Sequence, residues 1–300
     1  MADVRPRASR KRPAFEVVRI SSWKKFEALV TSERFRSWGF RGQSNAEWPL
    51  ESSLVRHLKF AGIHRDAWVR QEARAFRIFQ RKAHLFLQHV PPEGDSFQWL
   101  SIMQHHGAPT RLLDVTWSPY VALYFALERG AKTASVWAIN AAFLNGPGPR
   151  RVAGRAFDPD KVGTWVAGSY ERDFLESRRP FVVLGEPRIM NQRLIAQSGS
   201  FVIPGVLDRS IDQIIGLYET RETLLVRIDL DTSAMRDETL RRLYDMNLTP
   251  ATLFPDLNGL AQSMAYELEF HWAYDPKTMK TLPAFVRASG GRRRRARPGR

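Results

Sequence analysis

The chain contains no cysteine. That excludes disulfide bridges, a thiol nucleophile and any zinc site built on thiolates. No apolar run reaches the roughly eighteen residues that a membrane-spanning helix needs. The first thirteen residues are basic and lack the apolar stretch of a secretory signal. A cytoplasmic protein without membrane attachment is therefore the expectation. No glycine-rich phosphate loop and no Gly-x-Gly-x-x-Gly occurs, which argues against a Walker nucleotidase or a Rossmann dehydrogenase. A Gly-x-Ser-x-Gly nucleophile elbow is also missing. His84 with His89, and the adjacent His105 and His106, lack the spacing that puts two imidazoles on one ion, so no metal is expected. Asp229 and Asp231 flank one strand end without the further groups of a two-metal nuclease.

Acidic residues are outnumbered, 31 against 46 Lys and Arg, for a net charge of +15. The excess sits mainly at the two ends. Residues 1–13 carry +4 and residues 287–300 carry +7, leaving +4 on residues 14–286. Both ends are rich in Pro, Gly or Ala and cannot bury a core, so disordered tails around one domain at 14–286 are expected. The four arginines at 292–295 suit phosphate contacts and counterion release, which makes nucleic acid an expected partner of the tails. A solvated, solubilising tail is the alternative.

A chain of 300 residues with 43% hydrophobic content can build a large core. Ser21 or Ser22 can cap a helix over 23–30, followed by a strand ending at Arg41. Residues 66–90 have no Gly or Pro and repeat Trp68, Val69, Ala73, Phe76, Phe79, Ala83, Phe86 and Leu87 at helical spacing. A second helix is expected over 97–104. A third opens at Ser118-Pro119, with Ser as cap and Pro in the first turn. Strands are expected at 135–139, 181–184, 200–203 and 224–230, with an irregular stretch over 145–168. Residues 188–197 read equally as helix or strand. An amphipathic helix over 235–246 points Leu240, Leu243 and Met246 inward, and a turn at 252–260 leads into a last helix over 261–270. The alternation lacks a βαβ rhythm, so the class is mixed α+β.

Two segments concentrate polar groups among apolar ones. The first is Phe40-Arg41-Gly42-Gln43; the second runs from Gln104 to Pro119 and holds His105, His106, Thr110, Arg111, Asp114, Thr116 and Ser118. Buried polar groups at this density must satisfy one another or hold a ligand. A guanidinium at a strand end beside glycine suits phosphate or carboxylate, or else pairs with a core acid such as Asp114. On a strand, Asp114, Thr116 and Ser118 would share one face beside a helix N-terminus, an arrangement able to cradle an anion. One of the two histidines is expected to orient a neighbour or touch ligand.

These motifs, together with residues 193–201 and 253–260, resemble the FRG domain family, named for its Phe-Arg-Gly tripeptide. A fainter similarity links them to the Arg-Ser-Glu class of ADP-ribosyltransferases. That class has an Arg ending its first strand, a Ser-Thr-Ser strand leading into an Ala/Phe-rich helix, and a third strand carrying a catalytic Glu. The resemblance implies a split sheet with surrounding helices and NAD as substrate. It implies transfer of ADP-ribose to a protein or nucleic acid, by a toxin or anti-phage effector with an antitoxin or regulatory partner. In that scheme Arg41, His106, Asp114 and Gln197 form the catalytic group, and Arg41, Gly42, Gln43, Thr110, Arg111, Thr116 and Ser118 bind NAD. Gly199 stands where the class has its Glu, so Asp114 or a distant acid such as Glu222 would have to provide the charge. NAD hydrolysis is a second reading of the same site. A non-catalytic nucleic-acid-binding module is a third.

Overall fold

A computed structural model describes residues 15–129, 132–166 and 168–282. The two tails expected to be disordered, 1–13 and 287–300, lie outside the described residues. The chain divides into two compact units, up to residue 236 and from residue 237 onward.

The first unit opens with β1 (Glu16–Ile20), α1 (Trp23–Val30), β2 (Gly39–Gln43), α2 (Ser53–Phe60), α3 (Trp68–Ala83) and α4 (Ser96–His105). It continues through β3 (Leu113–Thr116), α5 (Pro119–Leu127), β4 (Ala134–Ile139), α6 (Ala141–Asn145), β5 (Arg151–Val152) and β6 (Arg155–Ala156). Then follow β7 (Val182–Gly185), α7 (Gln192–Ala196), β8 (Gly199–Pro204), α8 (Ile211–Ile215) and β9 (Leu225–Leu230). Helix α9 (Thr232–Asp245) spans the division. The second unit holds α10 (Pro250–Leu253), α11 (Leu257–Glu269) and the small hairpin β10 (Tyr274–Asp275) and β11 (Lys280–Thr281). The α+β class is as expected.

Seven strands form one sheet in the order β1-β9-β4-β2-β3-β8-β7. Only β1 and β9 run parallel. Strands β4 and β8 are buried at every position, which is why their sequences are nearly all apolar or small. Strand β4 pairs with β9 over six positions and with β2 over five, and β3 pairs with β8 over four. Between β2 and β3 the register holds only Phe40 opposite Thr116. The sheet is thus almost divided there, into a half of β1-β9-β4-β2 and a half of β3-β8-β7.

Helix α5 opens as its sequence dictates, with Val121 N donating to Ser118 Oγ (3.3 Å) and Pro119 in the first turn. It lies directly on β2. A Cβ placed on Gly42 would come 1.9 Å from Ala122 O and 2.7 Å from Ala126 N. Gly42 therefore admits a helix backbone, not the ligand expected there. Helix α3 ends at Ala83 rather than near residue 90, and Leu85 and Phe86 beyond it are exposed. The ambiguous 188–197 segment contains α7, capped by Asn191 through a bond from Leu194 N (2.8 Å). Helix α11 starts four residues before the expected point, because Asp256 accepts from Gly259 N (2.8 Å) and caps it. Leu240 and Leu243 are fully buried, whereas Met246 is half exposed.

Candidate functional site

The near-division of the sheet creates the site. Past Phe40 and Thr116 the two strands part, so β3 carbonyls lose the partners that β2 would have offered. Arg41 supplies one of them: its Nη1 donates to Asp114 O at 2.6 Å. That is its one hydrogen bond among the described residues, and its Nε is buried with no partner. Burial pushes the guanidinium below its ordinary pKa; Asp114's charge opposes this and the nearby Arg56 adds to it. Arg56 stands on α2, which Ser52 caps and which the β3 approach clamps. Thr110 O accepts from Leu54 N (3.1 Å), and Thr110 N donates to Ser53 Oγ (3.2 Å). Arg56 is exposed and its Nη1 donates to Glu51 O (2.6 Å), so Asp114 is the one acid that acts on Arg41 against its burial.

Asp114 is held from the other side. Gln104 Nε2 donates to its Oδ2 (2.9 Å), and Thr110 Oγ1 donates to Gln104 Oε1 (2.7 Å). At the far end of β3, Thr116 Oγ1 donates to Gln197 O (2.6 Å) and accepts from Ser118 N (3.0 Å). Ser198 follows at φ 46°, a left-handed conformation for a residue other than glycine, and its carbonyl accepts from Trp117 N at 2.8 Å. Arg41, Asp114, Thr116, Ser118 and Gln197 therefore converge on the junction of β2, β3 and β8. Strand β3 ends at Thr116, however, so Ser118 belongs to the cap of α5 and does not extend a three-residue strand face.

Other expected site residues are placed differently. Arg111 is completely buried and cannot touch a ligand. Its Nε and Nη2 engage both carboxylate oxygens of Glu72, and it also donates to Pro204 O (3.0 Å) and Phe174 O (3.0 Å). Burial lowers its pKa, but Glu72's charge and hydrogen bonds prevail and the net shift is upward. Tyr170, beside this pair, is pushed well above its ordinary value by burial and by Glu72. Gln43 is buried between Pro49 O (3.3 Å) and Trp137 Nε1 (2.9 Å), so both ends of its amide are used within the core. Thr110, with all its contacts internal, ties α2 to α4. His106 caps the C-terminus of α4, exposed, with its ring edge-on to His105 at 4.8 Å. None of its hydrogen bonds or ring contacts reaches Arg41, Asp114 or Gln197.

One acid beside the site escaped the sequence reading. Trp117 Nε1 donates to Glu186 Oε1 (3.1 Å), and both line a cavity of about 420 Å³ with Trp165, Phe157, Gly185 and Ser200. Glu186 follows β7, whose last residue Gly185 pairs with Phe201. It therefore stands near the start of β8, where Gly199 lies opposite Thr116. A Cβ on Gly199 would meet Leu194 Cδ1 at 2.7 Å and Leu194 O at 3.2 Å, so a side chain at this position would have to displace Leu194. Glu222 lies exposed in the turn before β9, away from β3. Among the described residues no cluster of three His, Asp or Glu is arranged to hold a metal ion, and no helix is long and apolar enough to cross a membrane.

Residues 36–135, which run from just before β2 into β4 and contain Arg41, Asp114, Thr116 and Ser118, match the family described as FRG domain, and the chain carries an FRG domain over those residues. No curated protein and no solved structure matches the chain.

Proposed function

We propose that the protein is an ADP-ribosyltransferase that takes NAD as substrate and modifies a macromolecule. The observation that carries this reading is Arg41, a largely desolvated guanidinium in the middle of β2, which runs on to Gln43 rather than ending at Arg41. It has one hydrogen bond, a second arginine, Arg56, near enough to repel it and no carboxylate in ion-pair contact among the described residues. Buried guanidinium groups are ordinarily saturated, as Arg111 is. One left with free donors suits an oxyanion such as a dinucleotide pyrophosphate, which the planar fork can grip bidentately.

The Trp117-lined cavity has the size and aromatic wall for a flat heterocycle such as nicotinamide. Glu186 supplies the negative charge that Gly199 lacks. Transfer breaks the bond between ribose C1′ and nicotinamide, which leaves as a neutral base. A new bond then forms from C1′ to an acceptor nucleophile that gives up its proton. A carboxylate near C1′ stabilises the positive charge that develops there. Thr116, locked to Gln197 O and Ser118 N, fixes the corner on which this arrangement rests. The setting as a toxin or anti-phage effector, restrained by an antitoxin or regulatory protein, rests on the FRG resemblance alone.

The test is incubation with NAD labelled in the adenylate, offering protein, DNA and RNA acceptors separately while following nicotinamide release and label transfer. Transfer that is lost in Arg41→Lys and Glu186→Gln supports the assignment. Nicotinamide release with no labelled acceptor points to NAD hydrolysis instead. Absence of both, with no NAD binding by calorimetry, refutes the reading.

A further inference from the structure

Helix α3 carries a second surface that the FRG motifs do not include. Its buried side is formed by Trp68, Glu72, Phe76 and Ala83. Arg70, Arg74, Arg77 and Arg81 are all exposed. At about 100° per residue these four fall within roughly 60° of one another, almost diametrically opposite the buried stripe. They form a straight row about 16 Å long, at a rise of about 1.5 Å per residue.

The row is not neutralised. None of the four forms an ion pair among the described residues, and Arg74 reaches only Gln71 Oε1, at 3.5 Å. The one acid within the helix, Glu72, is turned inward and held by Arg111. Asp66, just before the helix, faces His64. Neighbours three and four apart on a helix repel when their charges match, so this row is unfavourable to the isolated helix. A row of like charges with no counter-charge is what a polyanion would complete.

We propose that the exposed face of α3 binds the phosphate backbone of nucleic acid. The length of the row matches about five nucleotides at roughly 3.4 Å each. Arginine, rather than lysine, offers a planar fork for each phosphate. The contacts proposed are to phosphates, which carry no sequence information, so the binding expected of this row is indifferent to sequence. A membrane surface is a poorer fit, because an interfacial helix inserts an apolar face and that of α3 is already buried in the protein. The proposal does not rest on the NAD reading, although a nucleic-acid acceptor would suit both.

The test uses the full chain with labelled single-stranded DNA, duplex DNA and RNA of about twenty nucleotides, measuring anisotropy from 50 to 200 mM salt. Replacing all four arginines by Gln is expected to lower the slope of log K against log salt by roughly three. A control variant, Arg155, Arg178, Arg179 and Arg221→Gln, removes the same charge from other exposed sites and should leave the slope near wild type. The tails are present in every sample, so the difference reports α3. The pair Arg77→Gln and Arg81→Gln should give about half the effect, which covers the case of the quadruple variant failing to fold. A wild-type slope in the α3 variants, or equal losses in the α3 and control variants, would overturn the proposal. So would binding to phosphatidylserine vesicles that depends on these arginines while oligonucleotide binding does not.

Discussion

The buried pair of Arg111 and Glu72 gives the sharpest test of how this structure divides its arginines. Glu72→Gln keeps the shape of the side chain and removes its charge, leaving a fully buried guanidinium with carbonyl partners only. Removing one member of such a pair costs about 3–5 kcal/mol, because the remaining charge is uncompensated in a poor solvent. In a unit of this size that corresponds to a fall in Tm of roughly 6–20 °C, at about 2–4 °C per kcal/mol. Urea denaturation followed by circular dichroism should show a lower midpoint at an unchanged slope. The double variant Glu72→Met with Arg111→Met should recover part of the loss. It should stop short of wild type because Pro204 O and Phe174 O lose their donor, at about 1 kcal/mol each. A Glu72→Gln variant within about 1 kcal/mol of wild type would refute the structural role assigned to this pair. If Arg111 instead gripped a ligand, substrate affinity would change and Tm would not.

Further expectations follow from individual contacts. Gly42→Ala should cost about 3 kcal/mol or more, since its Cβ would strike the α5 backbone, whereas Gly39→Ala meets nothing closer than 3.8 Å and should be tolerated; comparing their melting temperatures checks both. Arg41→Lys should reduce any NAD-dependent turnover roughly ten- to a hundredfold, the value of one charge-assisted contact, with its thermal transition close to wild type. Burial raises the phenols of Tyr218 and Tyr170 above the ordinary 10.0. Their neutral forms are thus favoured in the folded state, so this contribution is intact below pH 10 and is lost as pH rises beyond it. Phenolate absorbance from these two should appear only with unfolding; free titration near pH 10 in the folded protein would contradict their burial. Ser198→Gly should raise stability by about 1 kcal/mol by relieving the left-handed backbone, as read by the urea midpoint.

Much of the fold is legible because local rules and burial agree. Helix α5 is read correctly since Ser118, Pro119 and the apolar run after them all specify one start. Strands β4 and β9 are read from apolar runs bounded by turns. The errors occur where a single polar contact decides. Asp256 caps α11 through Gly259 N, and in sequence that segment looks like a turn. The end of α3 is misread because Leu85, Phe86 and Leu87 continue an apolar pattern that the structure leaves outside the helix. Strand β1 was not anticipated, because its first four residues are exposed or half-buried and only Ile20 is buried.

The site is legible in proportion to how local its bonds are. Thr116 with Ser118, Gln104 with Asp114, and Thr110 with Gln104 all lie within ten positions, so the motif around residue 110 announces a polar network. Which member faces a ligand depends instead on distant partners. Arg41 and Arg111 look alike in sequence, each with an apolar residue on one side (Phe40 or Leu112) and a small one on the other (Gly42 or Thr110). Arg111 is saturated because Glu72, 39 positions earlier, comes in on the buried side of α3. Arg41 is unsaturated because β3 leaves β2 after one paired position, a consequence of sheet geometry with no local signature. Glu186 is 69 positions from Trp117, and only the pairing of β7 with β8 and of β8 with β3 brings them together. Leu194 of α7 crowds any side chain at Gly199, whereas the same pairing brings Glu186 close to the start of β8. On the transferase reading proposed above, the charge is carried by Glu186, just past the end of β7, and Glu186→Gln is expected to abolish turnover while leaving NAD binding by calorimetry largely intact.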